Sequence, residues 1–193
     1  SHYGPGRYAG GTGPSGGVTA IGRELLKGME RLNIILDTAH LSEQAFWEAV
    51  ELFHGPIAFT HGGVRALVPM WRTLSDEQLR VLIERDGVIG ISMDNWQITE
   101  GWIKGQSTPN LVSLENVVDN IDHICQLAGN ADNAAIGTDL GGGFGTEQCP
   151  RDLDSIADLQ KIPPILRQRG YNEEDVGKIM HRNWIRLLDE AWV

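Results

Sequence analysis

Three short apolar runs in this chain each lead into residues able to do chemistry. Asn33-Ile34-Ile35-Leu36 runs into Asp37-Thr38-Ala39-His40, and Pro56-Ile57-Ala58-Phe59 into Thr60-His61-Gly62-Gly63. Ala134-Ala135-Ile136-Gly137 runs into Thr138-Asp139-Leu140-Gly141-Gly142-Gly143. If the runs are parallel strands, these residues occupy C-terminal strand ends, where α/β folds keep their active sites. Two imidazoles and a carboxylate meeting there suit zinc, and an open coordination position makes such a site catalytic. Either histidine alone is more often a structural side chain than a ligand, so the weight rests on the set. The three glycines fit a plain turn, a close approach of substrate to backbone, or a phosphate cradle. At this strand end neither Gly-x-Gly-x-x-Gly nor Gly-Lys-Ser/Thr is present to favour the last.

The other histidines carry less. His54, His123 and His181 fall on helical segments and are expected to be surface or capping residues. His2 precedes a Gly/Pro-rich stretch and has no local pattern of its own. Cys125 lies on an apolar helical face and is expected to be a core thiol. Cys125 and Cys149 have neither metal-binding spacing nor the pattern of a disulfide framework.

The elements that must position these residues alternate regularly. Residues 1–17 are loop-like in their glycine and proline content. Thr19 is placed to cap a helix to about Leu32, with Ile21, Leu25, Leu26 and Met29 on its apolar face. Ser42 caps a second helix to about Phe53. Ser75 opens a third, ending near Asp86-Gly87, and a fourth spans Ser113 to about Ala128. Between them fall four strand-length runs: 33–37, 56–60, 88–92 and 134–137. A long loop, about 94–110, carries Trp96 and Trp102. Two closing helices are expected, Asp154–Arg169 bent at Pro163-Pro164, and Glu173–Trp192. This β-α alternation predicts a parallel sheet with helical crossovers. By pattern alone it fits half a barrel or a small doubly wound sheet equally.

The length, 193 residues, allows one domain with a real core but falls short of the roughly 250 residues of a complete (β/α)8 barrel. The net charge of −10 argues against a nucleic-acid partner. No apolar run approaches the length of a membrane span, and no leader is legible, which weakly favours the cytoplasm. The opening Ser-His-Tyr-Gly-Pro-Gly-Arg-Tyr has the chemistry of a loop, so the chain is expected to start within a domain.

Several motifs together resemble one family. They are His2-Tyr3-Gly4-Pro5-Gly6-Arg7-Tyr8, Leu36-Asp37-Thr38-Ala39-His40-Leu41-Ser42, Phe59-Thr60-His61, Arg72-Thr73-Leu74-Ser75-Asp76 and Ile136-Gly137-Thr138-Asp139-Leu140-Gly141-Gly142. In this order they are similar to the membrane dipeptidase (renal dipeptidase, peptidase M19) family, and Asn183-Trp184-Ile185-Arg186 resembles its closing motif. The likeness spans essentially the whole chain. It implies a TIM (β/α)8 barrel of the metal-dependent hydrolase type, of which residues 1–193 would supply the C-terminal half, about strands 5–8. It also implies a two-zinc site and a dipeptide or similar small amide as substrate. By resemblance, His40 and His61 would bind one zinc, and Asp139 would shuttle the proton of the attacking water. Arg72 would hold the substrate's terminal carboxylate, and His2 would face its carbonyl. On its residue pattern alone, Arg72 reads as a surface arginine beside a helix start.

Two features depart from the family. Its opening His-x-Asp pair and bridging Glu are absent and would belong before Ser1, so one zinc lacks ligands. Gly141 stands where the family usually has a second Asp. The expected activity is therefore zinc-dependent dipeptide hydrolysis, with this chain alone incomplete. The alternatives are an amidohydrolase acting on a carboxylate-bearing non-peptide amide, and a non-catalytic half-barrel module. A half-barrel is further expected to leave inner-layer residues such as Ile35, Ile57 and Ile89 uncovered. It should then need the N-terminal half or self-association, and should bind zinc weakly.

Overall fold

A computed structural model describes residues 3–192. Among them, four short strands form one sheet in the order β1 (Leu36–Asp37), β2 (Ile57–Phe59), β3 (Val88–Ile91), β4 (Ala134–Ile136). All three pairings are parallel. The helical crossovers are α2 (Glu43–Leu52), α3 (Asp76–Glu84) and α5 (Leu114–Ala128), with α1 (Ala20–Arg31) ahead of the sheet. A single turn, α4 (Asn95–Ile98), lies inside the long loop after β3.

Local chemistry explains the helix ends. Thr19 accepts from Gly22 N at 3.1 Å and Ser42 from Ala45 N at 3.0 Å, satisfying amides that have no partner within the helix. Ser75 and Gln78 form a reciprocal capping box. Gly129 ends α5 at φ 73, a left-handed conformation that glycine adopts without steric cost. The two closing helices differ from the expectation. Residues Ile156–Lys161 form a 3₁₀ segment that passes into α6 (Ile162–Gln168), because Pro163 and Pro164 are tolerated only in a first turn. The last helix comprises α7 (Glu173–Gly177), a π turn at Lys178–Arg182 and α8 (Asn183–Trp192).

Strand alternation divides the core in two. Ile57, Phe59, Ile89, Ile91 and Ala134 face the crossover helices and pack with Phe46, Leu79, Leu82 and Ile121. Ala58, Val88 and Ala135 point the other way, where Leu187 and Trp184 of α8 cover them together with Ile35. The expected exposure of an inner layer is therefore corrected. Ile57 and Ile89 are 0% and 1% exposed because they lie on the helix-facing side, and Ile35 is partly covered by α8. On the opposite side, Ala58 and Ala135 are small.

The closing motif ties α8 to the strand that carries Asp139. Asn183 Nδ2 donates to Ala131 O at 2.7 Å and Ala134 O at 2.8 Å, and Trp184 Nε1 donates to Ile136 O at 2.9 Å. The N-terminal loop is pinned by bridges, including Gly11 to Leu41 and Ala9 to Val18.

Candidate active site

His40, His61 and Asp139 follow β1, β2 and β4, at the C-terminal end of the sheet. The imidazole centroids of His40 and His61 lie 5.1 Å apart with their planes tilted at 58°. Asp139 Oδ2 is 3.9 Å from His61 Nε2. The Tyr3 ring meets His40 edge-on at 5.2 Å. His40 and Asp139 have φ of 67° and 56°, a left-handed region that non-glycine residues seldom occupy. Such strain concentrates at functional sites.

The His61 backbone is fixed on both sides. Its carbonyl accepts from Arg72 Nη2 at 2.8 Å. The Thr60 carbonyl just before it sits against Gly90 of β3 and Gly137 after β4, where a Cβ on either glycine would collide with that oxygen. Gly142 serves Asp139 in the same way, since a side chain there would strike the Asp139 carboxylate. Gly141, where the family usually has Asp, has φ 85.

Hydroxyls meet the inner nitrogens of both imidazoles. Thr12 Oγ1 lies 3.1 Å from His40 Nδ1, and Thr60 Oγ1 lies 2.8 Å from His61 Nδ1. Thr60 Oγ1 donates in turn to Asp37 Oδ2 at 2.7 Å. Tetrahedral sharing of a metal at about 2.0–2.1 Å from each ring nitrogen puts two imidazole centroids about 5 Å apart. The donor set thus fits part of a metal centre. Among the described residues no group of three or more His, Cys, Asp or Glu side chains is arranged to hold a metal ion.

Arg72 is buried, at 3% exposure, so its reading as a surface arginine is set aside. Burial lowers its pKa, while Tyr3, Asp139, Asp37 and Asp94 act in the opposite sense. Its Nε is buried and lacks a hydrogen-bond partner among the described residues. An unpaired buried guanidinium N–H has a cost that an incoming carboxylate would remove. A cavity of about 820 Å³ opens beside it, lined by Tyr3, Thr12, Met70, Trp71, Arg72 and Trp96 among others. His2 lies outside the described residues.

The chain matches the family model described as "Membrane dipeptidase (Peptidase family M19)" over residues 6–192. It belongs to that family. A Klebsiella pneumoniae relative, "Uncharacterized protein in pqqA 5'region", is 33% identical over 94% of this chain and 63% of its own length. "Dipeptidase tcpJ" of Claviceps purpurea is 32% identical over 91% of this chain and 39% of its own. Among solved structures, a Rhodobacter sphaeroides metallo peptidase, liganded with a phosphinate mimic of the dipeptide L-Ala-D-Ala, superposes with a TM-score of 0.84. It is 28% identical, and the match covers 96% of this chain and 52% of that one. This membrane dipeptidase family member therefore spans 63% and 39% of the lengths of these two curated relatives. Its parallel sheet corresponds to part of a TIM-barrel-type metallopeptidase fold, and kinship with metallopeptidases implies a metal cofactor.

The same fold accounts for the residues expected to do no chemistry. His123 Nε2 pairs with Asp76 Oδ1 at 2.8 Å, while His54 and His181 are exposed. Cys125 and Cys149 are buried and unbridged, and burial pushes each thiol up to about 11. No helix among the described residues is long and apolar enough to cross a membrane.

Sequence reasoning gave no role to four residues that shape the site. Thr12, Asp37 and Thr60 contact the imidazoles or each other across the fold. Asp94, buried just beyond β3, accepts from Gln97 Nε2 at 3.2 Å and from Gln148 Nε2, and lies 3.7 Å from Lys104 Nζ. It joins the loops after β3 and β4. The available signal for Asp37 and Thr60 was their place inside the His40 and His61 motifs.

Proposed function

We propose that this chain supplies one side of a zinc-dependent dipeptidase site, in which His40 and His61 hold one metal ion. The observation that carries the reading is the convergence of both imidazoles, the Asp139 carboxylate and the buried Arg72 at one end of the sheet. Zinc, when bound, lowers the pKa of a coordinated water to about 7, which makes a nucleophile available at neutral pH.

The chain's own residues do the rest. Arg72 draws in the substrate's terminal carboxylate, satisfying its buried Nε–H and fixing the register of the peptide. Asp139 takes the proton of the attacking water at a carboxylate oxygen and delivers it to the leaving nitrogen. His2 matches the family histidine that donates to the substrate carbonyl as negative charge builds on its oxygen. The largely apolar walls at Met70, Trp71 and Trp96 receive the side chain next to the carboxylate.

Support for a dipeptide substrate comes from the family and from the phosphinate dipeptide mimic bound by the Rhodobacter relative. The test is hydrolysis of L-Ala-D-Ala and L-Ala-L-Ala by zinc-loaded protein carrying this chain, with and without a chelator. Chelator-sensitive turnover is the expected result. Turnover of N-acyl amino acids with no cleavage of either dipeptide would move the reading to a non-peptide amide.

A further inference from the structure

We propose that Asp37 and Thr60 are positioning residues that lock His61 in its Nδ1–H tautomer and so present Nε2 as its metal-binding nitrogen. The metal-binding part rests on the dipeptidase reading above; the tautomer lock does not.

Asp37 as a carboxylate can only accept. Its Oδ1 accepts from Ala39 N at 2.9 Å and Thr60 N at 3.1 Å, which fixes the carboxylate relative to β1 and β2. Its Oδ2 accepts from Thr60 Oγ1 at 2.7 Å. A threonine hydroxyl has one proton, and that proton is committed to Asp37. Toward His61 Nδ1, 2.8 Å away, Thr60 Oγ1 can then act only as an acceptor. The proton in that contact must belong to the ring, so the neutral imidazole carries it on Nδ1 and Nε2 holds the lone pair. His40 differs, because Thr12 Oγ1 lies within reach of both His40 Nδ1, at 3.1 Å, and His40 O, at 3.4 Å. The Thr12 proton has a choice, so Thr12 does not dictate the His40 tautomer.

A lock of this kind acts before any metal arrives. Partners of the second ring nitrogen fix the orientation and basicity of a ligating histidine, and their loss typically costs 10–100-fold in metal affinity. Asp37→Asn reverses the polarity of the chain while keeping its shape. The amide oxygen retains the two backbone bonds, and the amide nitrogen donates to Thr60 Oγ1. Thr60 then gives its proton to His61 Nδ1, and the ring proton moves to Nε2.

The measurement is long-range 1H–15N correlation NMR on the histidine-labelled 193-residue chain without metal. It is made at pH about 8.5, where an imidazole of ordinary pKa is neutral. His61 in the wild type should show a protonated Nδ1 and an unprotonated Nε2, Thr60→Ser should preserve that pattern, and Asp37→Asn should reverse it. Zinc affinity, read by competition with a chromophoric chelator, should fall 10–100-fold in Asp37→Asn and stay near wild type in Thr60→Ser. An Nε2–H tautomer in the wild type would overturn the proposal without recourse to any variant. So would an Asp37→Asn protein that keeps Nδ1–H. Failure to cleave dipeptides alongside a wild-type Nδ1–H tautomer would sink the dipeptidase reading and leave the lock supported.

Discussion

Replacing Gly137 with alanine should damage both the fold and the site, whereas the same change at Gly28 should help the fold and spare the site. A methyl group on Gly137 would fall on the Thr60 carbonyl oxygen, with the Gly90 Cα and carbonyl carbon at 2.9 Å. Those are backbone atoms of two neighbouring strands, which cannot swing aside as a side chain can. Over-packing of this kind costs about 1–3 kcal/mol. The strain also has a direction, since the atom that must move belongs to the peptide that carries His61. Gly28 lies inside α1, and the nearest atom to an added Cβ is the end of the Arg31 side chain at 3.9 Å. Alanine there removes glycine's entropic penalty and should stabilise by about 0.5–1 kcal/mol. Urea unfolding of both variants beside the wild type gives the two signs directly, and zinc titration reads the displacement of His61. Gly137→Ala should bind zinc at least about tenfold more weakly, with Gly28→Ala unchanged. If Gly137→Ala unfolds within about 0.5 kcal/mol of the wild type and binds zinc normally, the glycine cradle does not set the position of His61.

On the dipeptidase reading, Asp139→Asn should lower kcat by at least about 100-fold with little change in KM. Arg72→Ala should instead raise KM by about 10–100-fold, the equivalent of a lost charged hydrogen bond; equal losses in both parameters in both variants would contradict the separate roles. Asn183→Ala removes two buried bonds, at 2.7 and 2.8 Å, that hold α8 to β4. It should cost roughly 2–3 kcal/mol in urea unfolding, and a cost near zero would mean that Trp184 alone anchors the helix. With thiol pKa values near 11, Cys125 and Cys149 should resist aromatic disulfide reagents at pH 8 until the chain unfolds; fast labelling of the native protein would show that one of them is accessible. Asp158 is held down to about 2 by a hydrogen bond from Lys161 and by the Ser155 amide. Its contribution to stability is therefore present above the ordinary carboxyl value of 3.8 and lost as pH falls toward 2, and carboxyl NMR titration would detect a normal value if the contact is absent in solution.

What the sequence made legible was the set of groups with chemistry in their own side chains. His40, His61 and Asp139 stand out as a set because two imidazoles and a carboxylate fall at strand ends, while Arg72 was marked only by the order of motifs that resembles the family. Helix boundaries were legible where caps are local, as at Thr19, Ser42 and Ser75. Strand lengths were not. The expected strand 33–37 is only Leu36–Asp37, because just these two residues find a register with Ile57 and Ala58. The burial of Arg72 and the identity of the layer under α8 depend on contacts between segments far apart in sequence. So does the Asp37–Thr60 bond, which joins residues 23 apart. No window along the chain contains both partners of such a contact.

The backbone at the site explains why these residue types recur there. Four non-glycine residues among those described have positive φ: Asn33, His40, Asp86 and Asp139. Asn33 and Asp86 sit in the turns that precede β1 and β3, where a polar side chain makes the left-handed conformation tolerable. His40 and Asp139 instead sit just after β1 and β4, where the chain must leave the sheet while their side chains reach toward His61. A glycine would relieve both positions and remove the chemistry. The relief is applied next door instead. Gly142, beside Asp139, and Gly90 and Gly137, beneath the Thr60 carbonyl, are the places where a Cβ would force the functional groups aside. After β4, Asp139 keeps its side chain at a left-handed φ, Gly142 occupies a crowded position against its carboxylate, and Gly141 and Gly143 take φ of 85° and 94° in open space. Crowding at Gly142 and left-handed backbone at Gly141 and Gly143 account for the glycine-rich run after β4 without recourse to a phosphate ligand.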